Sequence, residues 1–315
     1  MFKSNILITG GSGFLGSNLS KLLKKREISF KSVNSKDYDL RNYNSVKKMF
    51  NKFKPRYVYH LAAKVGGIMD NKNFKADFFY NNILIDSNIF RASMNYKVKK
   101  LITTAAGCGY PSKIKESLKE KNIWDGFPHE ASSAFSMAKK MQIIQSLAYK
   151  DQYNLNSIVL IPSNVYGEYD NFNLEQSHVI PALIRKFYEA VRFKRKEVFI
   201  WGSRNVFRDF IHVSDIANGL FLAAKKYNSC EPLNLCTSKK TSIGEVVDIL
   251  NKISGFNGKI VWQNDKPKGQ NVRVMSNVYQ KKILPKWKPK KNLYNGLDQT
   301  YKWFANNYDS KIIRL

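Results

Sequence analysis

The chain is poor in cysteine and has no apolar run long enough to cross a membrane. Its cysteines are Cys108, Cys230 and Cys236, an odd number without the CxxC spacing of zinc or redox sites. Neither a disulfide framework nor a metal site is therefore predicted. The first residues lead directly into an apolar strand without a signal-peptide pattern, so we expect a soluble cytoplasmic protein that does not enter a membrane.

Acidic residues are also scarce, at 24 against 53 basic residues, and the formal net charge is +29. A basic surface attracts polyanions, so a nucleic-acid partner has to be weighed. However, only 11 of the basic residues are arginine, the residue suited to bidentate phosphate and guanine recognition, and the lysines are scattered along the chain. This pattern favours a solvated lysine surface over nucleic-acid binding, and the same field would attract an anionic nucleotide-sugar.

A glycine-rich loop stands near the start of the chain, between a short apolar run at Ile6 to Thr9 and a helical pattern that reaches Lys25. Its glycines, Gly10, Gly13 and Gly16, would permit a tight turn, admit a pyrophosphate and let the helix pack closely on the strand. The helix that begins at Phe14 and Leu15 would present unpaired N–H groups to the anion. The arrangement predicts a dinucleotide-binding loop.

Strands and helices alternate after this loop, which predicts an α/β fold with a doubly wound parallel sheet. The chain is long enough for one large domain or two closely joined domains. After Pro162 the pattern changes to mixed short elements with longer loops. The further predicted elements are strands at 30–33, 57–60 and 100–104 and helices at 45–53 and 74–96.

The end of the second strand bears on the choice of cofactor. An acidic residue there would bind the ribose 2′-hydroxyl of NAD, but this chain has Asn34 and Lys36, which suit a 2′-phosphate. NADP(H) is therefore the favoured cofactor. Asp39 and Leu40 would lie near the adenine, although a surface turn explains Asp39 equally well.

Several longer motifs carry a resemblance to a known family. They are the glycine loop, His60-Leu61-Ala62-Ala63 with its continuation to Ile68, and the segments 164–167, 170–172, 177–183, 201–202 and 208–210. Together they resemble the extended short-chain dehydrogenase/reductase superfamily and, within it, the GDP-L-fucose synthase family, which epimerises and then reduces GDP-4-keto-6-deoxymannose. The resemblance covers nearly the whole chain.

The resemblance implies a Rossmann sheet with a smaller C-terminal α/β domain for the nucleotide-sugar. We expect residues 1–165 to form the NADP(H)-binding domain, with 203–228 returning to it, and 166–202 and 229–315 to form the second domain. Relatives commonly dimerise through the long helix predicted at 74–96 and the helix that carries Lys139, so a homodimer is expected by analogy.

Two residues match the epimerisation groups of this family, Cys108 as base and His178 as acid. Hydrogens on C3 and C5 of the sugar are acidic because both carbons flank the C4 ketone, so a thiolate can remove one and an imidazolium can return it. The residues alone would favour a small buried hydrophobe for Cys108 and a polar surface role for His178. The resemblance reverses both preferences.

Two reductase groups of the family are missing. Phe135 stands at the tyrosine of its Tyr-x-x-x-Lys pair, with Lys139 retained, and Ala106 stands at a Ser or Thr that binds the C4 oxygen. A positioned general acid contributes roughly 10²–10⁴ in rate, so reduction is expected to be slow. Lys139, a water molecule, or one of Ser132, Ser133 and Ser136 would have to substitute. A single isosteric change fits a deliberate replacement, whereas two changes favour natural divergence.

The remaining site residues follow from the resemblance. Lys186 stands where the family often has arginine, and the segment Lys266 to Gln270 resembles a family Lys-Pro-Asp-Gly segment whose aspartate is lost. The residues expected at the nucleotide-sugar are Cys108, Asn164, His178, Val179, Lys186, Trp201, Arg208 and Arg273. Those expected at the cofactor, beyond the glycine loop and the end of the second strand, are Leu61, Ala62, Ala63, Lys139, Pro162, Asn164, Val165 and His178.

The sequence thus predicts an NADP(H)-dependent C4-reductase, a C3/C5-epimerase, or both, acting on a GDP-4-keto-6-deoxy-hexose or heptose in polysaccharide or capsule biosynthesis. Its reductase activity is expected to be impaired by Phe135 and Ala106. The alternatives are an epimerase without reductase activity and a catalytically inactive nucleotide-binding homologue.

Overall fold

The structure is a computed structural model that describes residues 5–114, 116–264 and 270–315. Residues 266–269 of the lysine-rich segment considered above lie outside the described residues. The strands are β1 (Ile6–Thr9), β2 (Phe30–Val33), β3 (Tyr57–His60), β4 (Lys100–Thr104), β5 (Ser157–Pro162), β6 (Asn164–Tyr166), β7 (Glu197–Trp201), β8 (Phe207–Arg208), β9 (Phe210–His212), β10 (Pro232–Leu235), β11 (Thr241–Ser242), β12 (Lys259–Gln263) and β13 (Val272–Arg273).

The α-helices alternate with these strands. They are α1 (Phe14–Lys25), α2 (Tyr43–Phe53), α3 (Ile68–Asn73), α4 (Lys75–Asn95), α5 (Ser133–Tyr153), α6 (Val179–Arg192), α7 (Val213–Lys226), α8 (Ile243–Ser254), α9 (Val278–Ile283) and α10 (Leu293–Asn307). Short 3-10 helices lie at Gly107–Gly109, Glu120–Trp124 and Glu130–Ser132. Helix α2 begins two residues before the predicted start because the Asn42 side chain accepts hydrogen bonds from Asn44 N and Ser45 N.

A six-stranded parallel sheet in the order β10-β5-β4-β3-β1-β2 forms the centre of the molecule. The predicted α/β fold with a parallel sheet is confirmed. Its inner strands β1, β3, β4 and β5 are buried along their whole length because helices cover both faces. Leu19 of α1 and Leu220 of α7 are buried on one face, and Phe50 of α2 and Phe90 of α4 are buried on the other.

The later part of the chain forms smaller sheets over a second core. These sheets are β11-β8-β13, β12-β7 and β6-β9, and the core is built around Phe187, Val247 and Phe304. Pro232–Leu235 pairs in parallel with Val159 to Pro162 of β5, so the central sheet includes a strand that follows residue 228. Phe207–Arg208 belongs to one of the smaller sheets, which has three strands. Among the described residues, no helix is long and apolar enough to span a membrane.

Candidate functional site

The glycine loop between β1 and α1 is packed too tightly for side chains. Gly10 has φ +68°, and a Cβ on it would lie 2.7 Å from the Ala62 nitrogen. A Cβ on Gly16 would lie 2.2 Å from the Gly10 oxygen. The loop closes with a hydrogen bond of 2.9 Å from Gly13 N to Gly10 O.

Helix α1 starts at Phe14, followed by Leu15, directly after this loop. Its N-cap residue Gly13 provides no side-chain acceptor. The first-turn N–H groups are therefore available to an external acceptor at the positive end of the helix dipole. This geometry fits a pyrophosphate. Leu61, Ala62 and Ala63 follow β3 beside the loop and are all half-buried.

The turn after β2 presents basic and amide groups. Asn34 N donates to Asp37 Oδ2 at 3.0 Å, and Asn34 Oδ1 accepts from Lys36 N at 2.8 Å. Lys36 is exposed, so its ammonium is available to a 2′-phosphate. Asp39 instead accepts two hydrogen bonds of 2.9 Å from Arg41, which lower the pKa of its carboxyl, and Leu40 is buried beside it.

Cys108 lies at the carboxyl end of the central sheet. Strand β4 ends at Thr104, and Ala106 directly precedes the 3-10 helix that carries Cys108. That helix packs on α5: a Cβ on Gly109 would lie 3.2 Å from Lys140 Cγ. Ala106 and Cys108 are both half-buried, so the thiol remains accessible.

Two arginines lie side by side near this thiol. Arg208 and Arg273 are register partners in parallel strands β8 and β13. Among the described residues neither forms an ion pair with a carboxylate. Burial, followed by repulsion from Arg273, lowers the pKa of Arg208 to about 9. Two adjacent cations without an acidic partner are suited to binding a diphosphate.

Arg273 connects this pair to the other predicted site residues. Its Nη2 donates a 2.7 Å hydrogen bond to Asn164 Oδ1. Burial lowers the pKa of Arg273, and the negative charge of the Cys108 thiolate opposes that shift. Asn164 and Val165 belong to β6, two residues after Pro162 ends β5. Cys108, Asn164, Arg208 and Arg273 thus lie in one cluster.

His178 belongs to the same cluster. It is the N-cap residue of α6, immediately before Val179, and both residues are exposed. Desolvation by the surrounding protein lowers the pKa of His178, and the positive charge of Arg273 lowers it further. Cys108 and His178 therefore both interact electrostatically with Arg273.

Lys186 of α6 and Trp201 at the end of β7 contact each other. The ammonium of Lys186 lies 5.2 Å from the centroid of the Trp201 ring and donates to Phe199 O at 2.7 Å. Burial lowers the pKa of Lys186. Trp201 is 42% exposed, so one face of the indole is available to an aromatic base.

Helix α5 carries Phe135 and Lys139 on one face. The ring of Phe135 packs against Phe78 of α4. Two of the serine hydroxyls around it are engaged as donors: Ser136 donates to Ser132 at 3.3 Å, and Ser133 donates to the Glu130 carbonyl at 3.1 Å. Ser132 acts only as an acceptor in these bonds.

Sequence reasoning missed the partner of Lys139. The Lys139 ammonium lies 3.4 Å from Asp86 Oδ2, and Asp86 Oδ1 lies 3.0 Å from His60 Nε2. The His60 Nδ1 lies 2.7 Å from Thr9 Oγ1. A carboxylate in the apolar run Ile83-Leu84-Ile85 of a long helix was the available signal, because such a residue is rarely buried without a partner.

Comparison with known proteins gives consistent matches. Residues 6–236 match the sequence profile described as the NAD dependent epimerase/dehydratase family. The "Probable GDP-L-fucose synthase 1" of Oryza sativa subsp. japonica is 33% identical over 306 residues, which cover 96% of this chain and 92% of that protein. A GDP-L-fucose synthetase from Naegleria fowleri, solved bound to NADP, is 32% identical with a TM-score of 0.92, covering 100% of this chain and 96% of that one.

A solved reductase also has a closely similar fold. It is the GDP-6-OMe-4-keto-L-xylo-heptose reductase of C. jejuni, which is 29% identical with a TM-score of 0.91. The match covers 98% of this chain and 99% of that protein. The similarity therefore extends over the full cluster described above as well as the glycine loop.

Proposed function

This chain belongs to the NAD dependent epimerase/dehydratase family and, within it, to the GDP-L-fucose synthase family, and on that basis we propose that it binds NADP(H) and converts a GDP-linked 4-keto sugar. The observation that carries the proposal is the cluster of Cys108, His178, Asn164 and the arginine pair. A thiol, an imidazole and a binding site for a diphosphate lie together at the carboxyl end of a parallel sheet, where ligands of this fold class bind. The substrate class is a GDP-4-keto-6-deoxy-hexose or a related heptose, which would serve polysaccharide or capsule biosynthesis.

In this proposal the arginine pair holds the diphosphate, with Asn164 fixing the guanidinium of Arg273. Lys186, Trp201 and Val179 contact the nucleoside end. Cys108, as thiolate, removes the proton from C3 or C5 of the sugar, and His178, as imidazolium, returns a proton from the opposite face. Because the negative diphosphate offsets the charge of Arg273, substrate binding favours the protonated form of His178 that this step requires.

The residues present fit the cofactor. The loop Gly10 to Gly16 and the start of α1 would hold the pyrophosphate, and Asn34 and Lys36 the 2′-phosphate. Lys139 would contact the nicotinamide ribose. The other residues proposed at the cofactor are Asp39, Leu40, Leu61, Ala62, Ala63, Pro162, Asn164, Val165 and His178. When bound, NADPH supplies a hydride for the C4 carbonyl.

We propose that reduction is the weaker of the two activities. Phe135 has no proton to give to the C4 oxygen, and Ala106 has no hydroxyl to bind it. Of the nearby serines, Ser133 and Ser136 donate to other groups, whereas Ser132 accepts from Ser136. Epimerisation also loses a donor to the enolate oxygen at O4, but its proton-transfer groups, the thiol and the imidazole, are both present. An enzyme that epimerises with little reduction is therefore the second candidate function.

The proposed function can be tested by incubating the protein with NADPH and GDP-4-keto-6-deoxymannose in deuterated water. Deuterium incorporation at C3 and C5 and the oxidation of NADPH are followed in parallel. We expect incorporation to exceed oxidation by a large factor. Oxidation that keeps pace with incorporation would contradict the proposed impairment. The absence of both signals would contradict the enzymatic assignment.

A homodimer is also proposed, with α4 and α5 as the contact surface. Phe79 and Tyr80 of α4 and Ile144 of α5 are large apolar residues that are 43%, 63% and 45% exposed. Clusters of such residues on neighbouring helices favour burial against another protein surface. A second copy would provide this surface by two-fold symmetry.

A further inference from the structure

Lys139 is enclosed by protein, and a carboxylate lies beside its ammonium. It is 4% exposed, and its ammonium contacts Asp86 Oδ2. In a site with tyrosine at position 135, a phenolic oxygen one helical turn away would be a further partner. Phe135 provides no oxygen, so the carboxylate of Asp86 is the partner of this buried ammonium.

Asp86 is held in place by a chain of buried polar groups. Its Oδ1 accepts from His60 Nε2 at 3.0 Å, and His60 Nδ1 accepts from Thr9 Oγ1 at 2.7 Å. Thr9, His60 and Asp86 are each at most 1% exposed. Thr9 is the last residue of β1, next to the glycine loop, so the chain connects that loop to α5.

The electrostatics agree with this geometry. Burial opposes ionisation of Asp86, but the charge of Lys139 and the hydrogen bond from His60 outweigh it and lower the pKa of the carboxyl. Burial lowers the pKa of His60, which keeps the ring neutral. A neutral ring that donates from Nε2 accepts at Nδ1 from Thr9. The ionisable groups that act on Asp86 are Lys139 from α5 and His60 from β3.

We infer that Asp86 is a positioning residue for Lys139, which holds the ammonium in place where residue 135 carries no hydroxyl. This inference rests on the proposed function in that it makes Asp86 a determinant of cofactor binding. His60 and Thr9 fix the carboxylate in turn. The lysine is thereby oriented independently of the tyrosine that the family places on the same helix.

An internal comparison tests the inference in the unmodified protein without any cofactor. Lys140 follows Lys139 and is also 4% exposed, but its ammonium contacts the Trp124 ring and the Gly126 carbonyl and no carboxylate among the described residues. We expect trace acylation with acetic anhydride at pH 8, read by peptide mass spectrometry, to modify Lys140 several-fold faster than Lys139. Only the neutral amine reacts, so equal rates at the two lysines would overturn the inference.

Variants extend the test to binding. Asp86→Asn should raise acylation of Lys139 several-fold and weaken NADPH binding at pH 9 by about tenfold more than at pH 7, whereas Asp86→Glu should retain most of the affinity. Ser93→Ala, on the same helix and equally buried, is the matched control and should change neither readout. A folded Asp86→Asn protein with unchanged labelling and unchanged pH dependence would refute the positioning role.

The two readouts separate this inference from the proposed function. If the wild-type protein binds no NADPH, the cofactor assignment fails, while the difference in labelling between Lys139 and Lys140 still reports on Asp86. If NADPH binds but Lys139 and Lys140 react alike, the positioning role fails and the cofactor assignment stands.

Discussion

The rings of Phe135 and Phe78 meet edge to face, with centroids 6.1 Å apart and planes inclined by 88°. This packing fixes the ring of Phe135 on α5, one turn before Lys139. A tyrosine at position 135 would therefore keep the ring position and add a hydroxyl close to the Lys139 ammonium. Phe135 therefore differs from a tyrosine at this position by one hydroxyl on the same helix face.

We accordingly predict that Phe135→Tyr raises NADPH oxidation with a GDP-4-keto-6-deoxy sugar by roughly 10²–10⁴-fold, the usual contribution of a positioned general acid. Steady-state absorbance at 340 nm measures it. Phe127→Tyr, which adds the same hydroxyl to a ring that is 77% exposed, is the control. An unchanged rate in Phe135→Tyr would identify Ala106, or a different reaction, as the cause of slow reduction.

The sequence predicted the glycine loop and the parallel sheet because each depends on local signals. A buried strand followed by three glycines and a helix specifies its own geometry, since only glycine tolerates the close approach of Gly10 to Ala62. The pairing of Pro232–Leu235 with β5 was not predicted, because β5 lies about 70 residues earlier in the chain. Such pairing leaves no signal in the strand itself.

The same distinction applies to the site. Phe135 and Lys139 were recognised from their spacing on one helix, and Cys108 and His178 from family motifs. The ion pair of Lys139 with Asp86 joins residues 53 positions apart, and it depends on the packing of α4 against α5. No periodicity in the sequence encodes which buried carboxylate meets which lysine.

Substitution of the Cys108 thiol or of the His178 imidazole should impair epimerisation. We predict that Cys108→Ser and His178→Asn each lower deuterium incorporation at C3 or C5 by about 10²–10⁴-fold, because each removes a general acid or base. NADPH affinity should change little in Cys108→Ser, since every residue proposed at the cofactor is intact, whereas His178→Asn also alters one of those residues. Nuclear magnetic resonance of the recovered sugar and fluorescence titration of NADPH provide the two measurements. Cys230→Ser, at a half-buried cysteine distant in sequence, should leave both unchanged.

Arg273 should determine affinity for the diphosphate. We predict that Arg273→Lys weakens GDP binding by about 10–100-fold, because lysine keeps the charge but loses both the planar fork and the hydrogen bond to Asn164. Isothermal titration calorimetry measures the affinity. Arg204→Lys is the matched control, because Arg204 is exposed and paired with Asp248 at 2.7 Å. Equal losses in the two variants would show that the effect is not specific to Arg273.

The proposed dimer should dissociate when a charged side chain is placed in its contact surface on α5. Ile144→Glu should shift the protein to a monomer, since a carboxylate would be desolvated within an apolar contact. Size-exclusion chromatography with light scattering gives the mass. Val191→Glu, at an apolar residue of α6 that is 41% exposed, should not alter the mass. A wild-type protein that is already monomeric at micromolar concentration would rule out the α4–α5 contact.

Asp170 should make stability depend on pH. Burial raises the pKa of its carboxyl from 3.8 to about 7, and its Oδ2 has no hydrogen-bond partner among the described residues. The folded state therefore favours the protonated form. The contribution of Asp170 to stability is greatest below the unfolded pKa, falls as pH rises from about 4 to 7, and is least above pH 7.

The effect of replacing Asp170 on the free energy of unfolding has a defined direction. Asp170→Asn removes the ionisable group, so we predict that it increases the free energy of unfolding above pH 7 by about 1–4 kcal/mol, the upper value being the full pKa shift. The gain should shrink as pH is lowered towards 4. Urea unfolding at pH 5 and pH 8 measures it, and Asp298→Asn, whose carboxylate pairs with Lys302 at 2.8 Å on the surface of α10, is the control. A gain for Asp170→Asn that is equal at the two pH values would show that the carboxyl is not titrating between them, because only a group that ionises in this interval contributes a pH-dependent difference.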